Sequence, residues 1–292
     1  MITRLIAMSL LLVTIVSAEE MAFIDQMVIK VPIGDKSLQE AGEYLKNEAK
    51  KRGIQQVGYS PLYKEYQALG LSNIRHVEIF QFCDAKVAKA LTEYNMSFAV
   101  HIPCRVSLIE DEQGKGWFVM MNPMIFKSSM LSPDLQKQAA CACGKLMEII
   151  GASATVAQST NQLAMDIDQT VVKMQISEDI SIDEAIDSLT LHANDLNVKR
   201  VGHQNLTKEY EKLGLPNIRR TEIFQFCDAI VAQQMLRDDI RYVAYMPCQI
   251  AIVEDEHEQG WFVMMNMDMF IALFLNDLIK NSFIYWLTVN EV

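Results

Sequence analysis

The chain has 292 residues, half of them hydrophobic and 22% charged, with a formal net charge of −11. That length suits about two globular domains. The acidic balance excludes nucleic acid and anionic lipid as partners, because both require a basic face, and no Lys/Arg cluster interleaved with aromatics offsets it.

Residues 1–18 read as a signal peptide. Arg4 supplies the positive start, Leu5 to Val16 is an apolar run too short for a comfortable membrane span, and Val16-Ser17-Ala18 offers the small residues of a cleavage site. The expectation is a periplasmic or secreted protein with no integral membrane span after cleavage. Its six cysteines would then meet an oxidising compartment.

A strand is predicted over 27–31 and a helix over 37–51, where Ser37 and Glu40 have capping-box spacing. A short segment near Val57-Gly58 leads to a small helix over 62–69, stopped by Gly70. A strand over 74–82 follows, then a helix over 84–94 with Asp84 as its N-cap. A long strand is expected over 98–109. Its apolar set is Phe98, Val100, Ile102, Cys104, Val106 and Leu108, and His101, Arg105 and Ser107 alternate with it. The acidic turn Glu110 to Gly114 reverses the chain into a strand over 116–121, which completes a hairpin. Ser132-Pro133-Asp134 opens a connector helix that Gly151 ends.

Everything up to the connector then returns. Val57 to Ala85 matches Val201 to Ala229 at an offset of 144 residues, with 20 identities in 29 positions. The register holds through Pro103-Cys104 (Pro247-Cys248), Glu110-Asp111-Glu112 (Glu254-Asp255-Glu256) and Gly116 to Asn122 (Gly260 to Asn266). The chain therefore reads as a signal peptide (1–18), a first repeat domain (19–130), a helical connector (131–165) and a second repeat domain (166–292). The last ends in an apolar helix over 269–287, read as amphipathic and packed. The expected fold class is α+β: two tandem two-layer α/β sandwich domains of β-α-β-α-β-β type, each a mixed sheet with helices on one face. So few helices leave a face of each sheet bare, so the two copies are expected to pack on each other as an intrachain pseudo-dimer.

The block EIFQFCDA, then a helix, then a strand carrying Ile102-Pro103-Cys104-Arg105-Val106, an acidic turn and a closing strand, resembles the domain-of-unknown-function 302 family. The second copy keeps Cys227, Pro247 and Cys248 but has Gln249 and Ile250 in place of Arg105 and Val106. The resemblance covers both repeats and implies a small α+β domain able to pair with itself. It implies no reaction and no cofactor.

Two repeated cysteine pairs are the candidate thiol or ligand site: Cys83 with Cys104, and Cys227 with Cys248. Cys83 and Cys227 each precede a helix N-terminus, where the helix dipole favours thiolate. A reversible disulfide, a soft-metal site (copper or haem type) or one reactive thiol would each use such a pair, and a structural disulfide or separate burial is the plainer alternative. Pro103 and Pro247 read as edge-strand or bulge prolines that leave backbone open beside Cys104 and Cys248. Arg105 completes the set in the first copy only. The methionines 120, 121, 124, 264, 265 and 267 read as packing. No histidine recurs between the copies, which argues against a duplicated catalytic base. Cys141 and Cys143 lie in the connector without counterparts, Cys143 bordering its apolar stripe. The leading expectation is a non-enzymatic binding or interaction module with an envelope protein or small ligand as partner, and the alternative is thiol redox or soft-metal handling. No metal or cofactor is identified.

Overall fold

A computed structural model describes residues 24–130, 132–152, 165–196 and 198–269. The expected signal peptide and C-terminal helix beyond Met269 lie outside these residues. Among the described residues, no helix is long and apolar enough to cross a membrane.

The first copy holds strands β1 (Val28–Pro32), β2 (Gln55–Ser60), β3 (Val77–Cys83), β4 (Cys104–Glu110) and β5 (Gly116–Met121). Helices α1 (Leu38–Lys51), α2 (Leu62–Ala68) and α3 (Ala85–Tyr94) lie between them, and α4 (Pro133–Ile149) follows. The second copy repeats the order as β6 (Val171–Gln175), α5 (Ile182–Asp195), β7 (Lys199–Asn205), α6 (Leu206–Lys212), β8 (Thr221–Cys227), α7 (Ala229–Asp238), β9 (Cys248–Glu254) and β10 (Gly260–Met265). The helix starts follow local chemistry. Ser37 and Glu40 close a capping box on α1, and Asp84 accepts from the Lys86 and Val87 amides at the start of α3.

The chain is α+β, two similar halves, each built on a five-stranded sheet of order β1-β5-β4-β3-β2 or β6-β10-β9-β8-β7. Every strand pair is antiparallel, where a mixed sheet was expected. The expectation took α3 for a crossover helix. Instead α3 runs about 15 Å out, and the 3₁₀ turn Met96–His101 brings the chain back to the end of β3 that it left. That turn also replaces the first third of the strand expected over 98–109. Pro103 and Pro247, both cis, precede β4 and β9 and do not lie inside an edge strand. β4 and β9 are internal to their sheets, where proline would remove a ladder donor.

Each sheet is apolar on both faces. In the first copy Phe80, Phe82, Val106, Leu108 and Phe118 form an outer layer that α1 and α4 cover. The opposite face joins its counterpart in one continuous core containing Val77, Ile79, Ile109 and Val119 with Ile223, Ala251, Val253 and Val263. The two halves thus pack as a pseudo-dimer. The 3₁₀ turn of each half lies against the sheet of the other: Ser107 Oγ donates to the Val243 carbonyl, and Met96–His101 packs on β9 and β10.

Two glutamines 144 positions apart meet in this interface. Gln81 and Gln225, 1% and 2% exposed, exchange amide hydrogen bonds of 3.0 and 2.8 Å, and Gln204 adds a third to Gln81 Oε1 at 2.6 Å. Such a reciprocal contact is that of an isologous two-fold. Room for it comes from a register shift opposite Gly58 and Gly202. A Cβ on Gly58 would lie 2.6 Å from Gln81 Oε1, and one on Gly202 2.4 Å from Gln225 Oε1. The glutamines are held by one another and cannot swing aside without leaving buried amides unpaired. Gly58→Ala is therefore expected to lower stability by about 1–3 kcal/mol. Gly144→Ala in α4, where a Cβ meets nothing within 4 Å, is expected to raise it by up to about 1 kcal/mol. Urea unfolding of the two variants checks both signs.

Candidate functional site

Strand parity separates the expected cysteine pairs. β3 points Val77, Ile79 and Gln81 at the shared core, and Cys83 follows that parity and packs there. On β4, Val106 and Leu108 point to the outer layer, and Cys104 packs with them. Cys83 and Cys104 thus lie one register step apart, Phe82 being opposite Cys104, on opposite faces of the sheet. Cys227 stands to Cys248 in the same way, with Phe226 opposite Cys248. Cys83, Cys104, Cys143, Cys227 and Cys248 are all free thiols.

The structure gives Cys104 a different partner. α4 crosses the outer layer with Leu146, Met147 and Ile150, and Cys143 lies on that same helical face. Its thiol adjoins the Cys104 sulfur. The Cys143 thiol, with the Arg105 charge alongside, holds the Cys104 thiol below its ordinary range despite burial, while Cys104 and burial push Cys143 up. Cys83 behaves oppositely to the expectation from its place at a helix start. Burial, then Cys104 and Asp84, push it well up, and Cys227 is raised in the same way with Cys248 and Asp228 as neighbours. The N-cap carboxylate occupies the helix terminus, so the dipole does not reach the sulfur as a net positive field.

Arg105 is the second feature. It lies in register with Gln81, 4% exposed in the shared core. Nη1 donates to the carbonyls of Pro247 (2.9 Å) and Tyr245 (3.4 Å), and Nη2 has no partner. Among the described residues no carboxylate stands beside it, and burial lowers its pKa to about 10. Cys248 of the second half sits near enough for the arginine to moderate its rise, which burial takes to about 11. Gln249, at the position equivalent to Arg105, is 2% exposed with neither amide atom bonded.

Cys104, Arg105 and Cys143 line a cavity of about 150 Å³ beyond the end of β5. His101, Phe126 and four methionines (120, 121, 124 and 130) complete most of its wall, with Ala244 from the second half. Met120 and Met121 both reach it because the chain turns at Met121, although their strand positions face apart. Sequence reading passed over Cys143 and His101: neither recurs, and the register between α4 and β4 is a tertiary fact. Among the described residues, no group of three or more His, Cys, Asp or Glu converges to hold a metal ion. The acidic turns are hairpin locks. Asp111 accepts from the Gln113 and Lys115 amides and from Trp117 Nε1 at 2.7 Å, and Asp255 repeats this with His257, Gln259 and Trp261.

The His101 ring lies against Phe126, with Nε2 3.3 Å from Thr170 Oγ1. That hydroxyl already donates to the Ile167 carbonyl, so Nε2 carries the ring proton and Nδ1, which has no partner, is the bare nitrogen. Burial, and then the Arg105 charge, lower its pKa from 6.5 to about 3. The unfolded chain takes up this proton below about pH 6.5 while the folded chain does not until about pH 3, so stability falls as pH drops through that window. His101→Phe is expected to flatten the loss: its urea midpoint should fall less between about pH 7.5 and about pH 4.5 than that of the native chain.

Comparison with known proteins identifies the family. A crystal structure of an uncharacterized conserved protein DUF302 from Bacillus stearothermophilus is 19% identical, with a TM-score of 0.36, and the match covers 43% of this chain and 94% of that one. No curated protein matches. The family described as Domain of unknown function DUF302 matches residues 29–153 and 172–284, one match for each half. The two matches span most of the sequence, and the chain belongs to that family as two tandem copies.

Proposed function

We propose that this chain is a non-enzymatic binding module of the cell envelope whose first half takes a small apolar anion. One observation carries the reading: the buried Arg105 guanidinium has no carboxylate partner among the described residues and an unbonded Nη2, on the wall of an apolar cavity. A buried cation without a counter-charge is costly, and a ligand carboxylate offsets that cost with a charge-assisted bond. The cavity of about 150 Å³ matches the size that admits one benzene ring. The ligand class is thus a small aromatic or branched carboxylate, its body among the methionines and Phe126 and its head on Arg105. Methionine walls adapt to such shapes.

Benzoate is the probe. Native protein is expected to bind it, read from shifts of the cavity methionine methyl resonances, and to bind neutral benzyl alcohol more weakly. Arg105→Gln installs the residue that the second half carries at this position and should weaken benzoate binding about tenfold or more. Equal affinity in the variant, or no shift of these methyls in the native chain, rejects the reading. The envelope assignment rests on Arg4, the apolar run and Val16-Ser17-Ala18. N-terminal sequencing of the exported protein should begin at Glu19, and a cytoplasmic chain starting at Met1 counts against it.

A further inference from the structure

We propose that Cys104 and Cys143 form a reactive dithiol that closes to a reversible disulfide by exchange with a low-molecular-weight disulfide, fastening α4 to the start of β4. The proposal is independent of the anion-binding reading, since it needs no occupant in the cavity.

Three observations lead to it. The two thiols are neighbours across the junction of α4 and the sheet, on the same outer face and on the wall of the same cavity. Both line the same cavity, and both residues are partly exposed. The Arg105 guanidinium lies next in sequence to Cys104, with Nη2 unbonded, and supplies positive charge where thiolate must form. The neighbouring thiol Cys83 is excluded by parity, because it leaves β3 on the other face. Cys143 does not recur in the sequence: position 287, at the same 144-residue offset, is leucine.

The chemistry is balanced within one exchange. The Cys104 thiolate attacks one sulfur of the small disulfide, forming a mixed disulfide and expelling one thiolate. Cys143 gives its proton to that thiolate and attacks the Cys104 sulfur, forming the Cys104–Cys143 bond and expelling the second, which takes a proton from solvent. Two protein thiols are oxidised and one small disulfide is reduced to two thiols. A dithiol reductant reverses the sequence. Cys104 is the attacking group because the Arg105 guanidinium adjoins it, and Cys143 is the resolving group.

Oxidised glutathione is the probe, used on the full chain in a Cys141→Ser background so that peptides containing Cys143 hold one cysteine. After acid quenching, intact mass and peptide mapping without reductant should show loss of two hydrogens and a Cys104–Cys143 cross-link. Cys143→Ser should stall with one glutathione on Cys104, and Cys83→Ser should leave the cross-link unchanged. Retained circular dichroism and an unchanged urea midpoint in the serine variants separate lost chemistry from lost fold. A Cys83–Cys104 cross-link, a glutathione adduct that persists on Cys104 when Cys143 is present, or an unmodified Cys104 each overturns the proposal. Failure of benzoate to bind with the cross-link intact counts only against the anion-binding reading.

Discussion

The structure depends on the exchange of amide hydrogen bonds between Gln81 and Gln225 inside a largely apolar interface. Hydrophobic burial pulls the two sheets together, but it is indifferent to small slides of one sheet over the other. A pair of buried amides is not indifferent, because a slip leaves four donors and acceptors without partners. The glutamines therefore set the register of the halves. The register in turn brings the Tyr245 and Pro247 carbonyls under Arg105 and lays each 3₁₀ turn against the opposite sheet. The glycines at 58 and 202 belong to the same constraint, since only a residue without a side chain leaves space for the amides.

At the site, three physical terms compete at each sulfur. Burial raises every thiol. A hydrogen-bond donor lowers the thiol it points to, and a nearby cation or carboxylate moves it down or up. Cys83 has burial and the Asp84 carboxylate on the same side, so it stays protonated. Cys104 is just as confined, yet the Cys143 thiol and the Arg105 charge outweigh burial there. Two cysteines one register step apart thus acquire different chemistry because a strand alternates its faces and a helix lands on one of them.

Much of this was legible in the sequence. The 144-residue repeat gives two copies, Ser37 and Asp84 mark the helix starts, and the alternation after Cys104 correctly sorts Val106 and Leu108 from Arg105 and Ser107. The extension of that alternation back to Phe98 misled, because a 3₁₀ turn with apolar residues at Phe98 and Val100 imitates strand periodicity over so short a stretch. Parallel pairing was inferred from a helix between strands, and nothing local distinguishes a helix that crosses a sheet from one that leaves and returns. The candidate site was half visible. Cys104 and Arg105 stand out from their neighbours, but the partner of Cys104 lies 39 positions away on a helix whose docking is decided by Leu146, Met147 and Ile150.

The single arginine in the shared core has a consequence for how such a chain evolves. Arg105 and Gln249 occupy matching places, each in register with one of the paired glutamines. In a dimer of identical subunits any residue there appears twice, so a buried cation would come with a second one close by, and the two would repel in a medium of low polarity. Joining the halves in one chain breaks that rule. Residue 105 is free to carry a charge while residue 249 stays neutral, so the fold keeps the packing of a two-fold assembly without duplicating its polar sites. Tandem duplication is in this sense a means of having one binding site where symmetry would impose two or none.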